Sequence, residues 1–269
     1  MPERMYRHAL IAISVLAICG QFSAGQAEER APQGALSTAR LIAAPAMVKG
    51  AWIAAVEIVL KPKAITYWRD PGEAGVPPAF DFSGSVNVAS SDVAYPVPKH
   101  IHEGDIDAVG YENEVVFPIR VTPARPGEPA TLKLKLDYAT CERICLPAHA
   151  DLTLDLPPPP QAIDEKKIAA AVAAVPRKVE RAALREVVEV ASDRQGNTVS
   201  WRVMPKAPLA QTNLFAEAQD GFFFSVQREG DHFRVSVAEH PVGRTAPDSV
   251  RLTLAQPGGA VEFTIPGGP

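Results

Sequence analysis

Two runs of alternating polar and apolar residues, joined by a short loop with two cysteines, constrain the fold of this chain more than any other feature. Residues 131–138 and residues 150–156 each place a leucine or another apolar residue at every second position. Successive side chains of a strand point to opposite faces, so this period of two predicts strands with one buried and one exposed face. Two such strands around a short connection predict a β-hairpin.

The loop of this hairpin contains Cys141 and Cys145, and the remaining cysteine, Cys19, lies in a segment that we expect to be removed. Four residues of straight strand span ~13 Å, whereas a disulfide needs Cα atoms about 4.4–6.8 Å apart. A bond between the two cysteines therefore requires the chain to reverse, which the flanking strands allow. A disulfide across so short a loop adds little stability, and such pairs are often easier to reduce.

The residues alone leave three interpretations of the cysteine pair open: a redox-active pair, a structural disulfide, or a metal site together with His149. The i, i+4, i+8 spacing would align the three side chains on a helix, but Pro147 and the strand patterns argue against a helix. Two thiols and one histidine also leave a tetrahedral zinc site one ligand short. Glu142 and Arg143 lie between the two cysteines. Arg143 would favour the thiolate form of a cysteine, and Glu142 would oppose it.

The first 27 residues have the pattern of an export signal. Basic residues precede an apolar core at residues 9–19, and small residues precede an expected cleavage site after Ala27. The core is shorter than the ~20 residues of an ordinary membrane span. We therefore expect a soluble mature chain in a compartment where disulfides persist. The alternatives are an uncleaved anchor and, through Cys19, a lipoprotein.

Composition and turn signals predict an all-β chain with two domains. The net charge of −4 gives no basic surface, so we exclude nucleic acid as a partner. The 26 prolines among 269 residues favour strands and loops over long helices. We expect a first domain at residues 28–156, a proline-rich linker with a short helix at residues 157–175, and a second, smaller β-sandwich at residues 176–269.

Three stretches of the first domain carry further expectations. Residues 51–60 are apolar enough for a strand buried on both faces. Residues 115–121 form a strand in which Pro118 indicates a sheet edge or a bulge, because proline donates no ladder hydrogen bond. Residues 95–107 are expected to be irregular, since they combine prolines, histidines and acidic residues.

The cysteine loop resembles a known family. Residues 138–147, Tyr-Ala-Thr-Cys-Glu-Arg-Ile-Cys-Leu-Pro, resemble the active-site segment of the amino-terminal periplasmic domain of the DsbD/ScsB thiol:disulfide interchange proteins. Residues 67–78 and 110–118 resemble two further blocks of that family. The resemblance covers roughly residues 40–156.

The resemblance implies an immunoglobulin-like sandwich that carries a redox cysteine pair near one end. It implies that Cys141 and Cys145 are catalytic, that they act by dithiol–disulfide exchange without a cofactor, and that Cys145 attacks. The chain would be a thiol-disulfide oxidoreductase of the protein-disulfide reductase type. Its pair would receive electrons from a membrane-embedded, DsbD- or CcdA-like transporter and pass them to thioredoxin-fold periplasmic proteins.

By the same analogy, a cap loop shields the sulfurs. The equivalent stretch here is residues 100–107, with Ile106 as an apolar shield. Three aromatic residues would line the surroundings of the pair: Tyr67, Trp68 and Tyr138.

Histidines and carboxylates near the cap stretch leave a second function open. The set consists of His100, His102, His149, Glu103, Asp105 and Asp107. Most such clusters are solvated loops, but these side chains are also competent copper or zinc ligands. The alternative function is therefore an exported metal-binding or assembly protein whose disulfide is structural.

Overall fold

The computed structural model describes residues 36–72, 75–103, 106–158, 162–195, 198–219 and 221–268, and these residues are mostly β-structure, as predicted. The amino-terminal strands are β1 Ser37–Ala43, β2 Trp52–Leu60, β3 Ile65–Gly72, β4 Ala79–Asp81, β5 Val88–Val93, β6 Lys99–Glu103, β7 Ile106–Glu112, β8 Glu114–Pro123, β9 Ala130–Cys141 and β10 Cys145–Leu156. They form two sheets, in the orders β1-β2-β8-β5 and β10-β9-β3-β7-β6, and β4 also pairs with β9. We call them the amino-terminal sheet pair.

Helix α1, Ala162–Ala173, follows, and further strands form a second pair of sheets. These strands are β11 Arg177–Lys178, β12 Val188–Gln195, β13 Thr198–Pro205, β14 Asn213–Glu217, β15 Phe223–Glu229, β16 His232–Glu239, β17 Ser249–Gln256 and β18 Gly259–Pro266. Their orders are β11-β18-β17-β14 and β12-β13-β16-β15, which we call the carboxy-terminal sheet pair. Among the described residues, no helix is long and apolar enough to cross a membrane.

The β9–β10 hairpin confirms the alternation in the sequence. The two strands pair without a break from Cys141 opposite Cys145 to Ala130 opposite Leu156. Leu134 is buried while its neighbours Lys133 and Lys135 are exposed. One face of the hairpin therefore lines the core between the two amino-terminal sheets, and the other face lies outside that core.

Strand β2 is buried on both faces, as its apolar sequence predicts, and α1 is the reason. Val56 and Ile58 face the core between the sheets. Ala55 packs on the other side against Ile168 and Ala171 of the helix. The helix thus covers the outer face of the first sheet.

Pro118 lies in an internal strand, so the expectation of an edge or bulge is wrong. Strand β8 runs between β2 and β5. The pairing with β5 ends at Val93 opposite Ile119, and the carbonyl of Pro118 accepts a hydrogen bond from Ala94 at 2.8 Å. In an antiparallel strand the amide and carbonyl of one residue face the same neighbour. The missing N–H of Pro118 therefore falls just beyond the last β5 pair, where the ladder does not need it.

Part of the stretch expected to be irregular is a second hairpin. Strand β6 pairs with β7 from Lys99 opposite Gly110 to Glu103 opposite Ile106, at the edge of the second sheet. Strand β7 continues inward to pair with β3. Pairing with an ordered neighbour thus overrides the mixed composition of this stretch.

The two sheet pairs have separate cores that meet at β14. The carboxy-terminal core includes the fully buried Trp201 and Leu252. Phe215 of β14 instead belongs to the amino-terminal core, with its ring centroid 5.7 Å from that of Trp68. This side chain joins the two cores.

An ion-pair network around the buried Glu57 fastens α1 to the first sheet. Glu57, which is 2% exposed, accepts hydrogen bonds from Arg40 and Lys167. Arg40 also binds Asp164 of the helix. Burial alone would raise the pKa of Glu57, but the hydrogen bonds from Lys167 and Arg40 outweigh burial and lower it.

We expect Glu57→Gln to lower the free energy of unfolding at pH 7, since two cations lose their shared carboxylate. A carboxyl whose pKa is lower in the folded state stabilises the fold above its unfolded-state pKa, and this contribution is lost as the pH falls through the folded-state pKa. The variant should therefore approach the wild type as the pH falls below the ordinary glutamate value of 4.5. Urea denaturation between pH 7 and pH 3 measures this.

Glu128→Gln is the control, because Glu128 pairs with Arg125 in an exposed position. Its effect should stay below about 0.5 kcal/mol at every pH. A Glu57→Gln deficit that is equally large at pH 7 and pH 3 would contradict the assignment of the effect to the ionised carboxylate.

Candidate functional site

Cys141 and Cys145 form a disulfide at the end of the β9–β10 hairpin. Cys141 is the last residue of β9 and Cys145 the first of β10, and they face each other across the ladder with Cα atoms 4.1 Å apart. The chain reversal that the sequence requires is thus supplied by a loop of three residues. Glu142 and Arg143 in this loop are both exposed.

The two cysteines differ in burial. Cys141 is 1% exposed, whereas Cys145 is exposed at the surface. Cys141 belongs to a small apolar cluster outside the main core, and the other members are Ile65, Tyr67, Ile101, Ala108 and Ala139. Next to Cys145, the side chain of Ile144 is 68% exposed. A molecule approaching the hairpin therefore meets Cys145 and an apolar side chain before it meets Cys141.

The hydroxyl of Tyr67 lies against both sulfurs. Its oxygen is 2.8 Å from Sγ of Cys141 and 3.3 Å from Sγ of Cys145. Disulfide sulfurs carry no hydrogen, so in this contact the hydroxyl donates. A donor in this position stabilises negative charge that develops on a sulfur when the bond breaks.

Close packing of β3 and the loop after it fixes the Tyr67 ring. Thr66 donates a side-chain hydrogen bond to the carbonyl of Ala139 at 2.8 Å, which ties β3 to β9. Gly75 has a φ of +118°, and a Cβ there would lie 2.3 Å from Cε1 of Tyr67. A Cβ on Gly110 would lie 2.1 Å from the carbonyl oxygen of Thr66. Both glycines are needed because the backbone passes too close for a side chain.

Strands β6 and β7, in and beside the stretch expected to form a cap, contribute two buried side chains to the cluster around Cys141. These are Ile101 of β6, which is 8% exposed, and Ala108 of β7, and we call the two strands the covering hairpin. Ile101 was not among the residues that the sequence analysis names, and the predicted shield, Ile106, stays a prediction. Ile106 begins β7 opposite Glu103, but its side chain lies outside what the structure describes.

Trp68 and Tyr138 lie on the opposite face of the sheet from the sulfurs. Both belong to the core between the amino-terminal sheets. The hydroxyl of Tyr138 hydrogen-bonds the hydroxyl of Ser37 at 2.8 Å. Of the three aromatic residues predicted to surround the pair, the structure brings only Tyr67 to the sulfurs, because neighbouring strand residues alternate between faces.

The histidines are dispersed. His100 stacks on Phe215, whereas His102 pairs with Asp107. His149 bonds two carboxylates, Asp137 and Asp151, which raise its pKa. Burial lowers the pKa of His100. Within the described ranges, no group of three or more His, Cys, Asp and Glu side chains is arranged to hold a metal ion.

Comparison with known proteins gives a family match over the amino-terminal sheet pair. Residues 36–157 match the family described as "Thiol:disulfide interchange protein DsbD, N-terminal". No curated protein sequence matches the chain. The matched residues begin just before β1 and end just after β10, so they include the disulfide, Tyr67 and the covering hairpin.

A solved structure with the same fold is the N-terminal periplasmic domain of ScsB from Proteus mirabilis. The TM-score is 0.70 at 24% sequence identity, and the alignment covers 87% of this chain and 94% of that chain. An alignment over 87% of this chain is longer than residues 36–157, so the shared fold extends into the carboxy-terminal sheet pair.

We expect Tyr67→Phe to slow the reduction of the disulfide by dithiothreitol about tenfold. The variant keeps the buried ring but removes the donor to the leaving sulfur, and a hydrogen bond to a charged group contributes ~1.5–3 kcal/mol. Quenched-flow mixing of the oxidised protein with dithiothreitol, with an alkylating agent as the quench, measures the rate.

Tyr138→Phe is the matched control, since it removes a hydroxyl from the other face of the same sheet. Its reduction rate should equal that of the wild type. Equal slowing in both variants would mean that the Tyr67 hydroxyl has no specific action on the sulfurs.

Proposed function

Because residues 36–157 belong to the family of DsbD amino-terminal domains, we propose that this protein is a thiol:disulfide interchange protein whose working group is the Cys141–Cys145 pair. The observation that carries the proposal is the asymmetry of the disulfide, with one exposed cysteine, one buried cysteine and a hydroxyl against both sulfurs. A purely structural bond across three residues would need none of these features.

The exchange begins at Cys145. A thiolate of the electron donor attacks Sγ of Cys145 and forms a mixed disulfide, while the bond to Cys141 breaks and its electron pair stays on Sγ of Cys141. The Tyr67 hydroxyl donates to this new thiolate. The second thiol of the donor then displaces Cys145, so that the donor leaves oxidised and the pair holds two electrons and two protons.

The pair passes these electrons on in the reverse order. Cys145, as the exposed thiolate, attacks a disulfide of the acceptor and forms a new mixed disulfide. Cys141 then attacks Sγ of Cys145, which restores the internal disulfide and releases the acceptor as a dithiol. In both directions Cys145 bonds the partner, and Cys141 closes or opens the internal bond.

We assign the donor and acceptor by family. The donor is a membrane-embedded, DsbD- or CcdA-like electron transporter, and the acceptors are thioredoxin-fold proteins of the periplasm. The exposed apolar side chain of Ile144, next to Cys145 and 68% exposed, supports a protein partner for this surface. Export by a signal peptide cleaved near Ala27 belongs to the same proposal, and that segment lies outside the described residues.

The domain organisation is also part of the proposal. Residues 28–156 form an immunoglobulin-like redox domain, residues 157–175 form a proline-rich linker and helix, and residues 176–269 form a second, smaller β-sandwich. The separate hydrophobic cores of the two sheet pairs support this division.

The reduction potential of the pair tests the function. We expect a reversible midpoint between about −120 and −270 mV, the range of proteins that exchange disulfides. Titration of the mature chain with glutathione or dithiothreitol, read by thiol alkylation, gives the value. A midpoint well below about −300 mV, typical of structural disulfides, would refute the exchange function.

Single-cysteine variants test the assignment of roles. Cys141→Ser should accumulate mixed disulfides with thioredoxin-fold proteins in periplasmic extracts, because the exposed Cys145 can attack but nothing resolves the product. Cys145→Ser should trap several-fold less, since its remaining cysteine is buried. Non-reducing electrophoresis and mass spectrometry measure the yield, and equal trapping by both variants would contradict the role of Cys145.

A further inference from the structure

Strand β14 of the carboxy-terminal sheet pair touches both elements that surround the disulfide. Its residues contact the β6–β7 hairpin, which covers Cys141, and β3, which carries Tyr67. We propose that β14 is a positioning element for the redox site: it holds the hairpin closed over Cys141 and holds the Tyr67 hydroxyl on the sulfurs. This inference rests on the proposed function and assigns a role to the carboxy-terminal sheet pair.

The contact with the hairpin runs through His100. Its ring stacks on Phe215 with centroids 4.5 Å apart and planes inclined by 17°. Its Nε2 lies 3.3 Å from the carbonyl oxygen of Leu214. The next residue along β6, Ile101, points to the other face of the strand and is buried in the cluster that contains Cys141 and Tyr67. One strand of the hairpin therefore binds β14 with one face and shields Cys141 with the other.

The contact with β3 runs through Trp68 and Arg69. The guanidinium of Arg69 bonds Glu217 of β14 through Nε at 3.0 Å and also pairs with Glu262 of β18. The same guanidinium lies 4.4 Å from the centre of the Trp68 ring. These groups are mostly buried, with side-chain exposures of 20% for Arg69 and 11% for Glu217. A bidentate pair in such surroundings fixes direction as well as distance.

Strand β3 connects the β14 contacts to the sulfurs directly, because Tyr67, Trp68 and Arg69 are consecutive. Trp68 contacts Phe215, Arg69 is held by the carboxylates, and Tyr67 touches both sulfurs. A shift of β3 at Arg69 would displace the Tyr67 hydroxyl, because neighbouring residues share one backbone. The apolar cluster around Cys141 is a small satellite cluster outside the main core. Such a region has low local stability, so contacts from β14 should have a measurable effect on it.

The first experiment measures the opening of the hairpin in the mature chain with Cys145→Ser, in which Cys141 is the one remaining cysteine. Because Cys141 is buried, alkylation by N-ethylmaleimide requires the cover to open. Adding His100→Ala, which removes the stack on Phe215, should speed alkylation about fivefold, as expected for loss of one aromatic contact.

His102→Ala is the matched control on the same strand, because His102 pairs with exposed Asp107. It should leave the alkylation rate unchanged. His100→Gln provides a second variant without the stacked ring, for use if the alanine variant is unfolded by circular dichroism. Equal rates for the His100 variants and the His102 control would overturn the proposal.

The second experiment is a double-mutant cycle on the dithiothreitol reduction rate. If β14 sets the position of Tyr67, the tenfold effect of Tyr67→Phe should fall to about twofold or less in a Glu217→Gln background. In a Glu189→Gln background the effect should remain tenfold, since Glu189 pairs with Lys206 at an exposed site of the same sheet pair. Additive effects of Tyr67→Phe and Glu217→Gln would refute the coupling.

The alkylation rate and the double-mutant cycle are both measured without any protein partner. A midpoint in the structural range would refute the exchange function while leaving the alkylation and cycle results interpretable. A normal midpoint with additive effects would instead retain the exchange function and refute the role of β14.

Discussion

The unbroken pairing of β9 with β10 is the interaction on which the rest of the structure depends. Twelve residue pairs in register fix which side chains face the core and which face outward. The same register brings Cys141 opposite Cys145, so the bond forms where the ladder ends. A slip of one residue would turn the leucines outward and separate the cysteines. The core and the disulfide are thus specified by one pattern.

Strand β3 lies beside β9 and uses the pleat in the same way. Trp68 faces the core between the sheets, and Tyr67 faces the disulfide on the other side. Gly75 and Gly110 let the neighbouring backbone approach β3 closely. The aromatic pair therefore has two tasks that follow from adjacent positions: one ring fills the core, and the other presents a hydroxyl to the sulfurs.

Much of the fold could be predicted from the sequence, because its patterns are local. The alternation around the cysteines indicated the hairpin, and the apolar run of β2 indicated burial on both faces. The location of Pro118 could not be predicted, since it depends on where a neighbouring strand ends. The family resemblance places Trp68 and Tyr138 near the pair, but a match of sequence blocks does not say which face of a strand a side chain occupies.

The strand structure of the covering hairpin escaped prediction for a related reason. Strand β6, Lys99–Glu103, has a single apolar residue, Ile101, between polar neighbours. So short a strand carries too little hydrophobic signal to be recognised. Its fold comes from β7, which is paired on both sides. Ile101 is nevertheless the residue that the alternation would select, because it is the apolar side chain that a strand would direct inward.

The cover over Cys141 is a separate, small cluster, and this separation has a functional consequence. If the sulfurs were part of the main core, exposing Cys141 would require breaking the contacts that hold the two sheets together. In the satellite cluster, opening involves an edge hairpin with few apolar contacts, so it costs far less than global unfolding. The main core can then stay intact through every exchange, while contacts from β14 set how often the edge hairpin opens.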